Sequence, residues 1–367
     1  MKIAFCLGSL NKGGAERVVS NLSNYLINNG NEVIIIVTKL SEIEYKLDNR
    51  IKVYSLDDDN SENKGLLLRN IRRLKKLKSI LLNNNLNIVL AFLQEPIARL
   101  LILRSFFRSV RKIPSIISVR IDPLHAFDSL KTKLTLPLYN SSNGFVFQTE
   151  EIKEFFNKKI QKRSVVIPNS LNYDFYNNKI FSKERDKRIV SVGRLTAQKN
   201  FPMLINGFNA ILKDFPDYTL EIYGDGELKN DLLLLIKNLK LDNKVFLMGN
   251  VSNLKEKIER SSLFIMTSDY EGLSNALMES LALGIPTICT DSDGGGAREL
   301  IKNNYNGVLI DKNDVKTLSR KIKYVLLNKD YAKILSENAV KSMKKYNPDL
   351  INKRWEDYII KITNQTK

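Results

Sequence analysis

The residues best equipped for chemistry lie in TSDYEGLSNALMESLALGIP, where Glu271 and Glu279 stand with seven residues between them. Ser274 is a good N-cap for a helix from about Asn275 to Leu283, which Gly284 and Pro286 would end. The amides of Leu273 to Leu277 then gather at a helix N-terminus, where unsatisfied N–H groups and the helix dipole receive phosphate oxygens. Glu271 precedes the cap, next to Gly272, while Glu279 sits inside the helix, about 7 Å along its axis. A carboxylate accepts hydroxyl pairs, so one glutamate suits the sugar end of a nucleotide-sugar and the other its ribose.

A second loop, SVGRLTAQKNF, places Arg194 and Lys199 five residues apart after a strand. Together a planar fork and a point charge can neutralise a diphosphate. A third, SLNKGGAERVV, has Gly13 and Gly14 ahead of a helix beginning near Ala15; they allow close backbone approach to an anion, without the spacing of a dinucleotide fingerprint. The acidic clusters DDDN (57–60) and DSDG (291–294) have oxygens a divalent cation would accept. Arg194, Lys199 and the helix N-terminus already supply positive charge, so both clusters read as solvated loops and no metal is expected. His125 is the only histidine and reads as an incidental loop residue.

These loops need a scaffold, and the rest of the chain supplies it. Short Val/Ile-rich runs alternate with helical-period stretches throughout, the pattern of parallel sheets with crossover helices. Strands are expected at 2–8, 32–38, 51–56, 87–92, 114–120, 144–149 and 164–168, and again at 188–193, 219–224, 244–249, 263–268, 286–291 and 307–310. Helices follow at 314–328, 330–345 and 348–363. The fold class is therefore α/β, with two facing Rossmann-like domains. Residues 1–171 form the first domain, 172–187 a linker and 188–347 the second, while a terminal helix in 348–367 packs back on the first. Ligands of such open sheets bind beyond the carboxyl ends of the strands, in a crevice between the domains.

Composition narrows the class. A chain of 367 residues, 43% hydrophobic and 27% charged, can bury two cores. Its two cysteines, Cys6 and Cys289, fall inside apolar runs, which argues against a disulfide framework. No apolar stretch reaches the ~18 residues of a membrane span, and the N-terminus does not read as a signal peptide, so the expected location is cytoplasmic. Of the net charge of +18, residues 1–180 carry 28 basic against 16 acidic side chains. The excess is densest in RNIRRLKKLKS (69–79) and RSFFRSVRK (104–112). In the first, Leu66, Leu67, Ile71, Leu74 and Leu77 keep helical spacing among six basic residues, forming an amphipathic basic helix suited to an anionic membrane surface or to plain solvation. No aromatic stacking platforms interleave the charges of 69–79, so nucleic acid is not expected as a partner.

Taken together, GGAER (13–17), IPNS (167–170), SVGRLTAQKNF (191–201), YGDGEL (223–228), the spaced glutamates and GGGAREL (294–300) resemble glycosyltransferase family 4, of the GT-B fold. The resemblance implies a retaining, metal-independent hexosyl- or N-acetylhexosaminyltransferase that uses a nucleotide-sugar, by preference a UDP-sugar, as co-substrate with no further cofactor. It makes Glu271, Arg194 and Lys199 catalytic. Donor contacts fall to Gly14, Gly224, Gly226, Asn250, Gly272, Leu273, Ser274, Asn275, Leu277 and Glu279, with Gly14 against the diphosphate and the turns 224–226 and 249–251 around the base. One departure stands out: where many relatives place a histidine after the strand PSIISVR, this chain has Arg120, followed by Asp122. The SVRIDP form resembles a branch acting on lipid-linked oligosaccharides of bacterial surface polysaccharides, such as O-antigen and lipopolysaccharide. On that likeness Arg120 and Asp122 are assigned to the acceptor or a phosphate, and the acceptor is a polyprenyl-diphosphate-linked glycan at the inner face of the cytoplasmic membrane. Two other readings remain: a UDP-N-acetylhexosamine epimerase of the same fold, and a basic nucleic-acid-binding protein, which leaves the glycine and glutamate loops unexplained.

Overall fold

A computed structural model describes residues 1–11, 13–40, 45–57, 65–120, 122–127, 133–176 and 184–365. The chain forms two units, Met1–Ser170 with Asp349–Lys367, and Leu171–Pro348.

The first unit carries β1 (Lys2–Leu7), β2 (Glu32–Val37), β3 (Lys52–Ser55), β4 (Ile88–Phe92), β5 (Ser115–Val119), β6 (Gly144–Phe147) and β7 (Ser164–Val166). They pair in parallel in the order β3-β2-β1-β4-β5-β6-β7. Successive side chains of a strand face opposite sides, and here both sides are covered. Ile3, Phe5 and Leu7 join one core with Val19, Leu22 and Trp355, while Ala4 and Cys6 join the other with Leu77, Leu100 and Phe147. That double burial explains the nearly continuous apolar runs.

The second unit repeats the plan with β8 (Asp186–Val192), β9 (Thr219–Tyr223), β10 (Val245–Gly249), β11 (Ser261–Met266), β12 (Thr287–Thr290) and β13 (Val308–Ile310). Their order is β10-β9-β8-β11-β12-β13, again parallel. Ile189, Leu220 and Leu263 pack with the helices Phe201–Asn209 and Val315–Leu327; Val190, Phe264 and Met266 pack with the helix Asn275–Ala282. Each sheet reverses strand order once, between β1 and β4 and between β8 and β11, which is where ligands of such sheets bind.

Two details differ from the sequence reading. Residues 172–187 are not simply a linker: Phe175 is buried in the second unit and Asp186 already begins β8; Leu171, expected to close the first domain, is buried in the second unit too, its amide donating to the Tyr346 carbonyl at 3.0 Å. Residues 177–183 lie outside the described residues. The basic helix runs Leu66–Asn83, and its apolar stripe divides. Leu77, Ile80 and Leu81 are core residues, whereas Leu67 and Leu68 stand 75% and 62% exposed. Nor are all its basic residues surface charges, since Arg73 is buried against Asp57 at 2.5 Å. In the terminal helix, Pro348–Asn364, Trp355 is fully buried in the first unit against Phe92, ring centroids 5.7 Å apart.

Candidate active site

The loops after β8, β9, β11 and β12 assemble most of the residues singled out in the second unit. After β8, the backbone passes Arg194 and Leu195 to a short 3-10 turn, Ala197–Lys199, and then to Asn200 in the left-handed region at φ 45°. Asparagine tolerates that conformation, and its side chain accepts from the Met203 amide to cap the next helix. The same side chain donates to Asp269 Oδ1 at 3.0 Å and Asn313 Oδ1 at 2.8 Å. The Thr267 hydroxyl donates to the Lys199 and Asn200 carbonyls, both at 3.0 Å. Gln198 donates to the Tyr270 carbonyl at 2.7 Å, and its own carbonyl accepts from the Asp269 amide at 2.9 Å. The loops after β8 and β11 are thereby stitched together across the point where the strand order reverses.

On the other flank, the Glu271 amide donates to the Asp293 carbonyl at 2.8 Å, and the Asp293 amide to Asp269 at 3.1 Å. Asp293 is held by Lys312 through both carboxylate oxygens at 2.7 Å, and Asp291 by Arg298 at 2.5 Å. Both acids of DSDG are therefore ion-paired. In the other acidic cluster Asp57 pairs with Arg73, and residues 58–60 lie outside the described residues.

The result of this bracing is an ion pair between Lys199 Nζ and Glu271 Oε1, with side chains only 13% and 11% exposed. Just beyond it, Ser274 caps the helix Asn275–Ala282 by accepting from the Leu277 amide. Glu279 is buried inside that helix. Leu273, Ser274 and Leu277 are buried as well, whereas Arg194 is exposed and makes no ion pair among the described residues. Cys289, on β12, is wholly buried, and its thiol is pushed far above the usual range, first by burial and then by the Glu271 charge. It is an inert core residue, as is the buried Cys6.

Glycines set the closest approaches. A Cβ on Gly224 would lie 2.1 Å from the Gly193 carbonyl oxygen, and one on Gly226 2.6 Å from that of Leu195, so the turn after β9 lies directly on the Arg194 loop. Gly296 approaches Gly272 more closely still, its Cβ position 1.8 Å from the Gly272 oxygen. Asn250 is exposed, after Gly249 at φ 68°.

Gly14, Arg120 and Asp122 belong to the first unit. Gly14 opens the helix Gly14–Asn28, preceded by Gly13, whose amide and carbonyl both meet the Tyr45 hydroxyl, at 3.0 and 2.9 Å. Asp122 is buried and accepts from the Leu124 and His125 amides. It also bonds His125 Nδ1 at 2.6 Å, so His125 is tied to the turn rather than incidental to it. Arg120 stacks over Phe92 and Trp355.

The residues that aim the pair, Asn200, Gln198, Asp269, Asp293, Lys312 and Gly296, have no role assigned from the sequence. The asparagine after Lys199 and the triple glycine 294–296 carried the available signals, namely positive φ and close approach. The remaining contacts join residues distant in sequence and leave no local pattern.

Comparison with known proteins agrees with this layout. The model of Glycosyltransferase Family 4 matches residues 12–175, and that of Glycosyl transferases group 1 matches 172–342. The chain is 28% identical, over 99% of both lengths, to an α-1,4-N-acetyl-D-galactosaminyltransferase of Campylobacter jejuni named for the substrate GalNAc-α-(1→4)-GalNAc-α-(1→3)-diNAcBac-PP-undecaprenol. It is 29% identical, over 89% of this chain and 90% of the other, to the same organism's N-acetylgalactosamine-N,N'-diacetylbacillosaminyl-diphospho-undecaprenol 4-α-N-acetylgalactosaminyltransferase. Among solved structures, Anabaena HepE in complex with UDP superposes with a TM-score of 0.80 at 17% identity, covering 98% of this chain and 100% of that one.

Proposed function

Given that the chain belongs to glycosyltransferase family 4 and has the GT-B fold, we propose that it transfers a hexose or N-acetylhexosamine from a UDP-sugar, with retention and without a metal, to a polyprenyl-diphosphate-linked glycan of bacterial surface polysaccharide synthesis. The observation that carries this reading is the Lys199–Glu271 pair, braced across the reversal of the second sheet and followed by a capped helix N-terminus. Arg194 and Lys199 neutralise the donor diphosphate, and the Leu273 to Leu277 amides add donors to the same oxygens. Lys199, released from Glu271 toward phosphate, stabilises the charge that grows on the leaving group. Glu271 then accepts hydroxyls of the transferred sugar, and Glu279 those of the ribose. The leaving phosphate helps deprotonate the acceptor on the face it departs from, so retention needs no protein nucleophile.

The acceptor side rests on the lipid-linked substrates named for the two Campylobacter relatives and on the surface of the first unit. No helix among the described residues is long and apolar enough to cross a membrane. Leu67, Leu68 and Ile71 are nonetheless exposed beside Arg72 and Lys75, and Phe106 stands 77% exposed ahead of Arg108 and Arg111. Exposed apolar side chains among basic ones suit a peripheral seat on the anionic inner face of the cytoplasmic membrane.

The test is incubation of purified protein with labelled UDP-sugars and a polyprenyl-diphosphate-linked acceptor, with and without a chelator, and assignment of the product anomer by NMR. Transfer with retention, insensitive to chelation, is expected. A folded protein that uses no donor, or that inverts the anomer, overturns the reading.

A further inference from the structure

Arg120 follows β5 at the carboxyl edge of the first sheet, and its charge is answered differently from those of its neighbours. Arg73 is paired with Asp57 and Arg99 with Glu95. The buried Arg104 spreads its fork over the Ser141, Val110 and Ile113 carbonyls and the Asn143 amide oxygen. Like Arg104, Arg120 meets only neutral oxygens among the described residues, but fewer of them: Nε donates to Ser118 Oγ at 3.2 Å and Nη1 to Asn169 Oδ1. Nη2 is buried and has no partner among the described residues. The guanidinium lies over the rings of Phe92 and Trp355, 5.4 and 5.6 Å from their centroids. Asp122, two residues on, gives its carboxylate to His125 and to the turn amides. Burial alone pushes Arg120 down to about 9.

Burying a cation with an idle N–H is unfavourable unless something completes it. The surroundings are held for that purpose. Leu93, directly after Phe92, adopts φ 65°, a conformation a leucine avoids unless its neighbours enforce it, and such outliers gather at functional sites. Gln94 ties this corner to the turn after Arg120 by donating to the Ala126 carbonyl. Ser118, Asn169 and the two rings fix the plane of the fork, so little rotamer freedom remains to be lost on binding. The residue as a whole is half-buried, and a planar fork with one open edge matches a phosphate.

We propose that Arg120 is an anion-binding residue that receives a phosphate oxygen of a diphosphate-bearing substrate. Resting on the glycosyl-transfer reading, this leaves two sources of the same chemistry, the nucleotide-sugar and the lipid-linked acceptor. A phosphate at Arg120 supplies the missing counter-charge, and the aromatic floor lowers the local dielectric that strengthens the contact.

The full chain carrying Arg120→Met, which keeps the stacked volume and removes charge and donors, is compared with wild type in two measurements. One is calorimetric titration with UDP; the other is the KM for a polyprenyl-diphosphate-linked sugar and for the same sugar on a neutral aglycone. A tenfold or greater loss of UDP affinity assigns the anion to the donor. Unchanged UDP affinity, with a tenfold or greater rise in KM for the diphosphate acceptor only, assigns it to the acceptor. Either result supports the proposal. UDP affinity and both KM values at wild-type level overturn it and leave Arg120 a packing residue. Arg120→Lys, which keeps the charge without the fork, serves where the methionine variant fails to fold. It is expected to show the same selective loss, three- to tenfold, and wild-type values for it also overturn the proposal. Wild-type protein that neither binds UDP nor transfers sugar would instead sink the underlying glycosyl-transfer reading.

Discussion

The two units share a sheet plan, but Lys199 in one and Arg120 in the other have their charge answered in opposite ways. In the second, Lys199 meets Glu271, Lys312 meets Asp293 and Arg298 meets Asp291, so each of these cations around the candidate site has an anion built in. In the first, the half-buried Arg120 lies on aromatic rings, with no acid partner among the described residues and a buried N–H left idle. A pair assembled in advance can be exchanged for substrate at low cost, because the cation that turns toward phosphate leaves a carboxylate that sugar hydroxyls then satisfy. A cation without a partner works by being completed only when its ligand arrives. Both strategies put binding energy where substrate charge is, but the second leaves the free protein less stable.

The comparison is sharpened most by Glu271→Gln. Removing the carboxylate is expected to lower kcat by about 10²–10³-fold, the scale seen when one electrostatic group at a reacting centre is lost. It also strands Lys199 without its counter-charge, at about 3 kcal/mol of stability, the lower end for breaking a buried pair. Replacing both partners, Lys199→Met with Glu271→Met, should restore most of that stability and none of the activity. Urea unfolding and a turnover assay on the three proteins check this. A double variant as unstable as the single would show that the pair matters for more than charge.

The next effect lies within the first unit, where Arg73 is a paired counterpart of Arg120. Asp57 is held below the usual carboxylate range, chiefly by its hydrogen bond from Arg73, and their side chains are 12% and 10% exposed. A carboxylate with a depressed folded pKa contributes stability above its unfolded pKa and loses it as pH falls through the folded value. Asp57→Asn is therefore expected to destabilise the protein by about 3 kcal/mol at neutral pH. The gap between variant and wild type should close below roughly pH 4, the ordinary aspartate range. Chemical unfolding at pH 7 and at decreasing pH follows it, and a gap that stays constant into acid would remove the ion pair as its cause.

How much of this was legible in the sequence depends on the range of the forces involved. Strand positions came through because double burial writes continuous Val/Ile runs, as in EVIIIV and NIVLAF. The cap at Ser274 came through because capping is local in sequence. Phe175 reads as linker because the core it joins, with Leu273 and Met343, is built from residues remote along the chain. Arg73 reads as surface charge for the same reason, since helical spacing alone does not disclose Asp57. The idle Nη2 of Arg120 is not legible at all: among the described residues it is an absence of partners, and a sequence displays only what is present.

The smallest effect tests how firmly the paired site is held. A Cβ on Gly296 would lie 1.8 Å from the Gly272 oxygen and 2.6 Å from the Gly272 carbonyl carbon, and backbone, unlike a flexible side chain, cannot step aside. Gly296→Ala is expected to destabilise the protein by about 2 kcal/mol through overpacking. The segment that must move runs from Glu271 to the Ser274 cap, so the carboxylate and the amides of the helix N-terminus shift together while Lys199 keeps its own bracing through Thr267. Misplacement of this kind should lower kcat on the order of tenfold with a parallel loss of UDP affinity. Melting temperature, kcat and UDP titration separate the two parts of the prediction. A variant that melts lower yet binds UDP and turns over like wild type would mean that the pair tolerates movement of its loop, and that bracing from β12 serves stability alone.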